Sequence, residues 1–278
     1  YKPKYMETVW WLIKNIFEKN LLYKGYTVQP YSPAAGSGLS SHELNQPGAY
    51  REISDTSVIA QFKCINDNKT DKFNGMFPFY FLAWTTTPWT LPSNTALTLG
   101  AKIEYSFVKT FNQYTREKIT VVLATSLIEK VFTKNFFIVK EESKLSLFKE
   151  SDAKIPYYVV NSFKGFEFEN LRYERIWDEA PLPIDNPENA FRVILGDFVT
   201  TDDGTGIVHT APTFGADDYK AAKSAKPEVP PLLVPDKNGN KVPLVDLKGK
   251  FIDDIGMISG KYVKNEYYEE DKIPEKSI

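Results

Sequence analysis

The segment Phe77–Trp84 (FPFYFLAW) restricts most what this chain can become, because apart from Pro78 it is unbroken apolar and aromatic sequence. A run of that length suits a strand buried on both faces rather than one with a solvated side. Thr85, Thr86 and Thr87 follow, and then Pro88, which removes a backbone donor and ends the ladder. Thr90, Pro92 and Asn94 continue the string WTTTPWTLPSNTAL from Trp84 to Leu97. Threonines at the end of a buried strand carry small hydroxyls on stiff β-branched side chains. Such a row can wall a pocket that bonds a ligand and limits its size. Read from the residues alone, a Thr-rich strand end and turn accounts for the string at least as well.

A buried strand needs a core around it, and 42% apolar residues with 14% aromatics supply one in a chain of 278. That length admits one large domain with flanking pieces, or two domains. The character of the sequence divides it into a leading segment, 1–48, a main domain, 49–264, and a charged tail, 265–278. The first residue is tyrosine, so the chain is expected to be a piece of a longer one. A net charge of −2 advertises no general affinity for nucleic acid, and any RNA contact must come from a local patch. The single cysteine, Cys64, excludes a disulfide framework and fits a reducing cytosol. No apolar run is long enough to span a bilayer, and no membrane partner is expected.

Met6, Val9, Trp10, Ile13, Ile16 and Phe17 recur at helical spacing, so residues 3–19 are predicted to form an amphipathic helix whose apolar stripe needs a partner. One or two strands are expected across Leu21–Pro33, and a loop across Ala34–Ser41. Beyond Ala49, short strand-like runs recur at 57–62, 77–84, 105–109, 119–124, 136–139, 157–160, 191–200 and 205–210. Many short strands with few helices predict a mainly β fold with α decorations, built as a β-barrel with peripheral helices. A helix is expected over Thr125–Phe132, capped by Thr125 or Ser126 with Glu129 in capping-box reach. The last two strands flank Thr201–Gly204, which predicts a hairpin with Gly204 at positive φ. Lys226–Val245 is proline-rich, with a hairpin at 237–240 and three residues, Leu232, Leu233 and Val234, that require burial.

The common catalytic signatures are missing. Gly36-Ser37-Gly38 is not a nucleophile elbow, Cys64 lacks an activating neighbour, and neither His42 nor His209 belongs to a zinc-binding pair. No metal or cofactor is expected. What remains is His209, with Asp217 and Asp218 following at the start of a short helix, Ala216–Ala225. The helix dipole favours carboxylates there, so a cap explains them without any ligand, and a satisfied core histidine explains His209.

Two strings together carry a resemblance. WTTTPWTLPSNTAL resembles the threonine-rich peptide of the editing insertion in isoleucyl-tRNA synthetases. Gly204–Tyr219 (GTGIVHTAPTFGADDY), about 110 residues later, resembles the other half of that pocket. The valyl and leucyl relatives carry arginine where this chain has Thr87, which favours the isoleucyl branch. The resemblance implies hydrolysis of valine misattached to the 3′ end of tRNA(Ile), and of valyl-adenylate, in a cytoplasmic synthetase whose remaining body is the partner. It implies catalytic roles for Thr85, Thr86, Thr87, His209 and Asp218, with Asp218 on the substrate ammonium and His209 beside the aminoacyl group. It places Trp84, Thr90, Asn94, Phe214 and Asp217 on the substrate; Phe214 stands where many relatives have histidine. Lys130, Lys134, Lys220, Lys223 and Lys226 are candidate phosphate contacts, each equally a solvated surface lysine. Some relatives bear metal-binding cysteines near Ser32–Ser37, and this chain has none there. Strings typical of the ATP-dependent synthetic site are absent. An RNA- or aminoacyl-adenosine-binding module without activity is the alternative, and a free-standing deacylase is disfavoured by the stem-like ends.

Overall fold

The computed structural model describes residues 2–23 and 27–273. The part of the predicted strand on Gly25 and Tyr26, and the end of the tail from Pro274, lie outside them. Helix α1 (Pro3–Glu18) leads to a small hairpin of β1 (Tyr31–Ser32) and β2 (Ser37–Gly38), then to α2 (Ser41–Leu44). The main sheet takes β3 (Val58–Lys63), β4 (Phe79–Thr85), β5 (Ala96–Leu99), β6 (Glu104–Phe111), β7 (Lys118–Ala124), β8 (Phe136–Ile138), β9 (Ile155–Lys164), β10 (Arg192–Leu195) and β11 (Ile207–Thr210). Helix α3 (Ile128–Val131) follows β7, and α4 (Ala216–Ser224) follows β11. A last hairpin joins β12 (Val234–Pro235) to β13 (Lys241–Val242) around the turn predicted at 237–240.

The fold is mainly β with small helical decorations, but the expected barrel closure is not found among the described residues. The strand order is β10-β5-β11-β4-β7-β6-β9-β8, with β3 added on β4. The sheet forks at β4. One edge of that strand pairs along its length with β3; the other is shared, Phe79–Phe81 with β7 and Trp84 with β11. Among the described residues, β10 and β8 end the path and are not paired with each other or with β3, so the sheet stays open.

The double burial predicted for the Phe77–Trp84 run is found in β4. Phe79, Phe81 and Ala83 enter the principal core with Phe62, Phe73, Phe107 and Phe168, while Tyr80 and Leu82 face a second cluster with Val108, Leu123 and Tyr157. Period-two alternation accounts for the division. Thr85 continues the first face, and Ile207 and His209 of β11 reach it from the neighbouring strand.

Three local expectations are corrected. The predicted hairpin between residues 191–200 and 205–210 does not form, because β5 lies between β10 and β11 and pairs with both. β5 itself, directly after Asn94, was not foreseen. A four-residue strand, Ala-Leu-Thr-Leu, is too short to leave a clear periodic trace. The helix expected over 125–132 is a 3-10 turn, Thr125–Leu127, followed by α3, with no side-chain cap on either. Thr125 Oγ1 instead lies 2.8 Å from Ser106 Oγ.

A smaller core forms from Ala180, Leu232, Val234, Leu244, Phe251 and Ile255, against which Trp89 and Phe214 pack. Of the three residues expected to be buried in the proline-rich segment, Leu232 and Val234 are, and Leu233 is half-buried. Helix α1 buries none of its residues, and Trp10 is 72% exposed. No described helix is long and apolar enough to cross a membrane.

Gly206 stands where the chain enters β11 at φ +73°, and a Cβ there would lie 2.4 Å from the Ala124 Cβ. Gly206→Ala is therefore expected to destabilise the fold by about 1–3 kcal/mol, through left-handed strain and overpacking together. A denaturant midpoint matching wild type would contradict this reading of the β7–β11 approach.

Candidate functional site

Pro88 starts a 3-10 turn, Pro88–Ser93, that lifts the chain off β4 and returns it at Asn94. Hydroxyls of the threonine string hold this turn closed. The Thr87 N–H donates to Thr85 Oγ1 at 3.1 Å, and the Thr90 hydroxyl donates to the Thr87 carbonyl at 2.7 Å. Thr85 and Thr90 are buried, whereas Thr86 and Thr87 are exposed. Thr86, Pro88 and Trp89 line a cavity of about 360 Å³ whose opposite wall includes Asp55, Thr56 and Lys264. Asp55 and Lys264 form an ion pair. The hydrogen bond from the Lys264 ammonium holds the Asp55 carboxyl below its ordinary range and raises Lys264 in turn.

Behind the turn, Asn94 and His209 form the centre of a buried polar network. Asn94 Nδ2 donates to the Ala96 carbonyl at 2.8 Å and meets His209 Nδ1 at 2.8 Å. Asn94 Oδ1 accepts the Tyr173 hydroxyl at 2.6 Å. Because Nδ2 faces a carbonyl and Oδ1 faces a hydroxyl, the orientation of the amide is assigned by this network. His209 Nδ1 is then an acceptor and Nε2 carries the proton, donating to Thr90 Oγ1 at 3.0 Å. Burial of the imidazole pushes its pKa down to about 4, so the ring is neutral near pH 7. Both ring nitrogens are thus committed to protein groups.

Asp218 lies in the first turn of α4 but does not cap it. Its Oδ2 accepts the Ala211 N–H at 2.9 Å, tying α4 to the end of β11. A Cβ at Gly215 would fall 2.6 Å from that oxygen, so glycine leaves space for the carboxylate. Burial raises the Asp218 pKa, opposed by the Ala211 hydrogen bond and assisted by the neighbouring charge of Asp217. Asp217 itself is exposed and pairs with Lys220 at 3.3 Å.

The two strings singled out in the sequence are therefore brought together, by strand pairing of β11 with Trp84 and with Ala96–Leu97 and by side-chain and backbone contacts besides. Thr90 and Asn94 meet His209, Thr95 N–H donates to the Thr210 carbonyl at 3.1 Å, and Trp89 meets Phe214 edge-on at 5.1 Å between ring centroids. Not every candidate shares one cavity. His209 and Asp218 do not line the space beside Thr86, and Trp84 lines a separate cavity of about 370 Å³ with Asp202 and Asp203. Lys130 donates to the Asp202 carbonyl, Lys223 lies over the Tyr219 ring, and Lys220 and Lys226 are exposed. Trp89, Asp55, Lys264 and Tyr173 were not anticipated. Trp89 stands inside the first string, between Pro88 and Thr90, with no local pattern to mark it. The other three have no local signal, since each reaches the site from a distant segment.

No family model matches the sequence. Curated relatives include the isoleucine–tRNA ligases of Bacteroides fragilis, 51% identical, and Porphyromonas gingivalis, 50% identical, each over 96% of this chain and 24% of the relative. That of Clostridium tetani is 37% identical over the whole chain and 22% of its own length. Solved structures with some likeness include the editing domain of the P. knowlesi cytosolic leucyl-tRNA synthetase, with a TM-score of 0.42 and 14% identity over 59% of this chain and 60% of that one. Another is GlLeuRS-CP1, with a TM-score of 0.39 and 16% identity over 60% of this chain and 59% of that one. Across nearly its whole length the chain is homologous to a segment of isoleucine–tRNA ligase, and it spans about a quarter of the length of the relatives it matches.

Proposed function

We propose that this segment is the proofreading module of an isoleucyl-tRNA synthetase, removing valine wrongly esterified to tRNA(Ile) and hydrolysing valyl-adenylate. The observation carrying the reading is the meeting of the two strings at Asn94, His209 and Thr90, directly behind a threonine turn that lines an open cavity. The parent enzyme's synthetic body and the 3′ end of tRNA(Ile) are the partners, in the cytoplasm.

An aminoacyl ester is already activated, so its hydrolysis needs chiefly a placed water and a fixed carbonyl. Orientation of this kind can lower a barrier by up to about 7–11 kcal/mol. Asp218, ionised, pairs with the substrate ammonium, a charge-assisted contact stronger than a neutral one. The hydroxyls of Thr86 and Thr87, exposed on the turn, bond the substrate and its water. His209 and Asn94 act from behind, holding the turn. Trp89 and Phe214 form an aromatic wall where the two strings meet, and Trp84 and Asp217 stay at the periphery. Selectivity comes from size. One methylene is worth only about 1–3 kcal/mol in an apolar pocket, a general limit for which isoleucine against valine in this enzyme class is the usual illustration. A second cavity that excludes the extra carbon removes the residual error, and overpacking costs of about 1–3 kcal/mol make threonine walls adequate for it.

Incubating the chain with valyl-tRNA(Ile) is expected to release free valine, with isoleucyl-tRNA(Ile) left intact. Thr87→Arg, at an exposed position between the cavity-lining Thr86 and Pro88, is expected to slow valine release at least about tenfold by crowding the site with a larger, charged side chain. Specific binding of the charged tRNA without valine release from the wild-type chain would instead identify a binding module.

A further inference from the structure

Tyr173 is buried completely and lies outside both sequence strings, yet its hydroxyl begins a continuous run of hydrogen bonds. The run passes from Tyr173 to Asn94 Oδ1 at 2.6 Å, and from Asn94 Nδ2 to His209 Nδ1 at 2.8 Å. It continues from His209 Nε2 to Thr90 Oγ1 at 3.0 Å, and from the Thr90 hydroxyl to the Thr87 carbonyl at 2.7 Å. Each donor points the same way along the run. A phenol donating to Oδ1 leaves the Asn94 amide hydrogens for Ala96 and His209. That choice makes Nδ1 an acceptor, puts the proton on Nε2, and leaves the Thr90 hydrogen free for Thr87. The Tyr173 backbone is fixed independently, by bridging to Cys64 and by its N–H donating to the Phe191 carbonyl at 3.2 Å. Its ring packs edge-on against Phe62 at 5.3 Å.

We propose that Tyr173 is a positioning residue for the hydrolytic site: its hydroxyl sets the direction of this buried run, and thereby the His209 tautomer and the placement of the Thr87 peptide. The inference rests on the proofreading reading for its catalytic consequence, but not for its structural part. Without the phenol, Asn94 Oδ1 is a buried acceptor with no donor. Turning the amide over satisfies Oδ1 from a protonated Nδ1, gives up the Ala96 contact, and reverses every bond beyond it. The Thr87 carbonyl then loses the Thr90 hydrogen.

The chain has two histidines, His42 and His209, so ring-nitrogen NMR resolves them once His42→Gln removes the exposed one. In the 278-residue chain near neutral pH, His209 is expected to show a single Nε2–H tautomer, with well-separated nitrogen shifts. A predominantly Nδ1–H or protonated ring in that protein would overturn the proposal before any variant of Tyr173 is made. In Tyr173→Phe the two shifts should move toward each other as the second tautomer becomes populated. Valyl-ester hydrolysis should show kcat lower by about tenfold, with KM changed by less than about threefold. Unchanged shifts in Tyr173→Phe would overturn the control of direction, and shifted nitrogens with wild-type kcat would overturn the role in the reaction. Absence of hydrolysis in the wild-type chain would count against the proofreading reading, while the nitrogen shifts would still decide whether Tyr173 directs the run.

Discussion

Asp218→Ala is expected to lower kcat/KM for valyl-ester hydrolysis about a hundredfold or more. The carboxylate is partly buried and already spends one oxygen on the Ala211 N–H, so under the proposed function it would meet the substrate ammonium as a preformed partner. Removing one member of a buried charge pair costs about 2–5 kcal/mol, which corresponds to tens- to thousands-fold. Alanine also strips Ala211 of its acceptor, so Asp218→Asn is the cleaner comparison: its amide oxygen can still accept that bond while the charge is gone. The asparagine variant should unfold at nearly the wild-type denaturant concentration and still lose most of the activity. Burial also sets a pH dependence. Because the Asp218 carboxyl is held above the ordinary aspartate value, the acid limb of kcat/KM should lie at higher pH than an exposed aspartate would give. Near-wild-type turnover in Asp218→Asn would remove this carboxylate from the ammonium site.

His209 is expected to matter as much, but through stability. His209→Ala deletes a buried ring, takes one hydrogen bond each from Asn94 Nδ2 and Thr90 Oγ1, which keep the Ala96 and Thr87 carbonyls, and opens a void at the junction of the two strings. A loss of about 3–5 kcal/mol is expected from the cavity and the lost hydrogen bonds together. The same geometry predicts an acid sensitivity. At neutral pH the imidazole is uncharged in both folded and unfolded chains, so nothing is lost. As pH falls below the free value of 6.5, the unfolded chain binds a proton that the folded ring, with its pKa near 4, refuses. Stability therefore declines across that window and levels off below about pH 4, by on the order of 3 kcal/mol for this one group. Carboxylates titrate in the lower part of the window, so the relevant quantity is the difference between wild type and His209→Gln. Denaturation at about pH 7.5 and about pH 5 measures it, and parallel declines in both proteins would refute the assignment.

How much of this was legible in the sequence differs by element. β4 could be read directly, because an apolar run closed by Pro88 describes a two-sided strand without reference to anything else. The turn at 237–240 was equally local, with Asn238 and Gly239 supplying it. The barrel and the 191–210 hairpin were misread for one reason: a strand's pattern says which of its faces is buried, not which neighbour takes each edge. Inserting β5 between β10 and β11 places them apart, and at four residues β5 is too short to mark its own place.

The site divides in the same way. The residue types of the threonine string and of the His209–Asp218 string, and their order along the chain, were present in the sequence, as was the likeness they bear to one enzyme family. Only the folded chain decided that His209 would face protein on both nitrogens, that Asp218 would hold the Ala211 amide, and that Tyr173 would close the network. Tyr173 and His209 lie 79 and 115 residues from Asn94. Side-chain periodicity is a local property and can be read within one strand. The partner of a buried polar atom is chosen by which other unsatisfied group the whole topology delivers within bonding distance, and no local pattern records that choice.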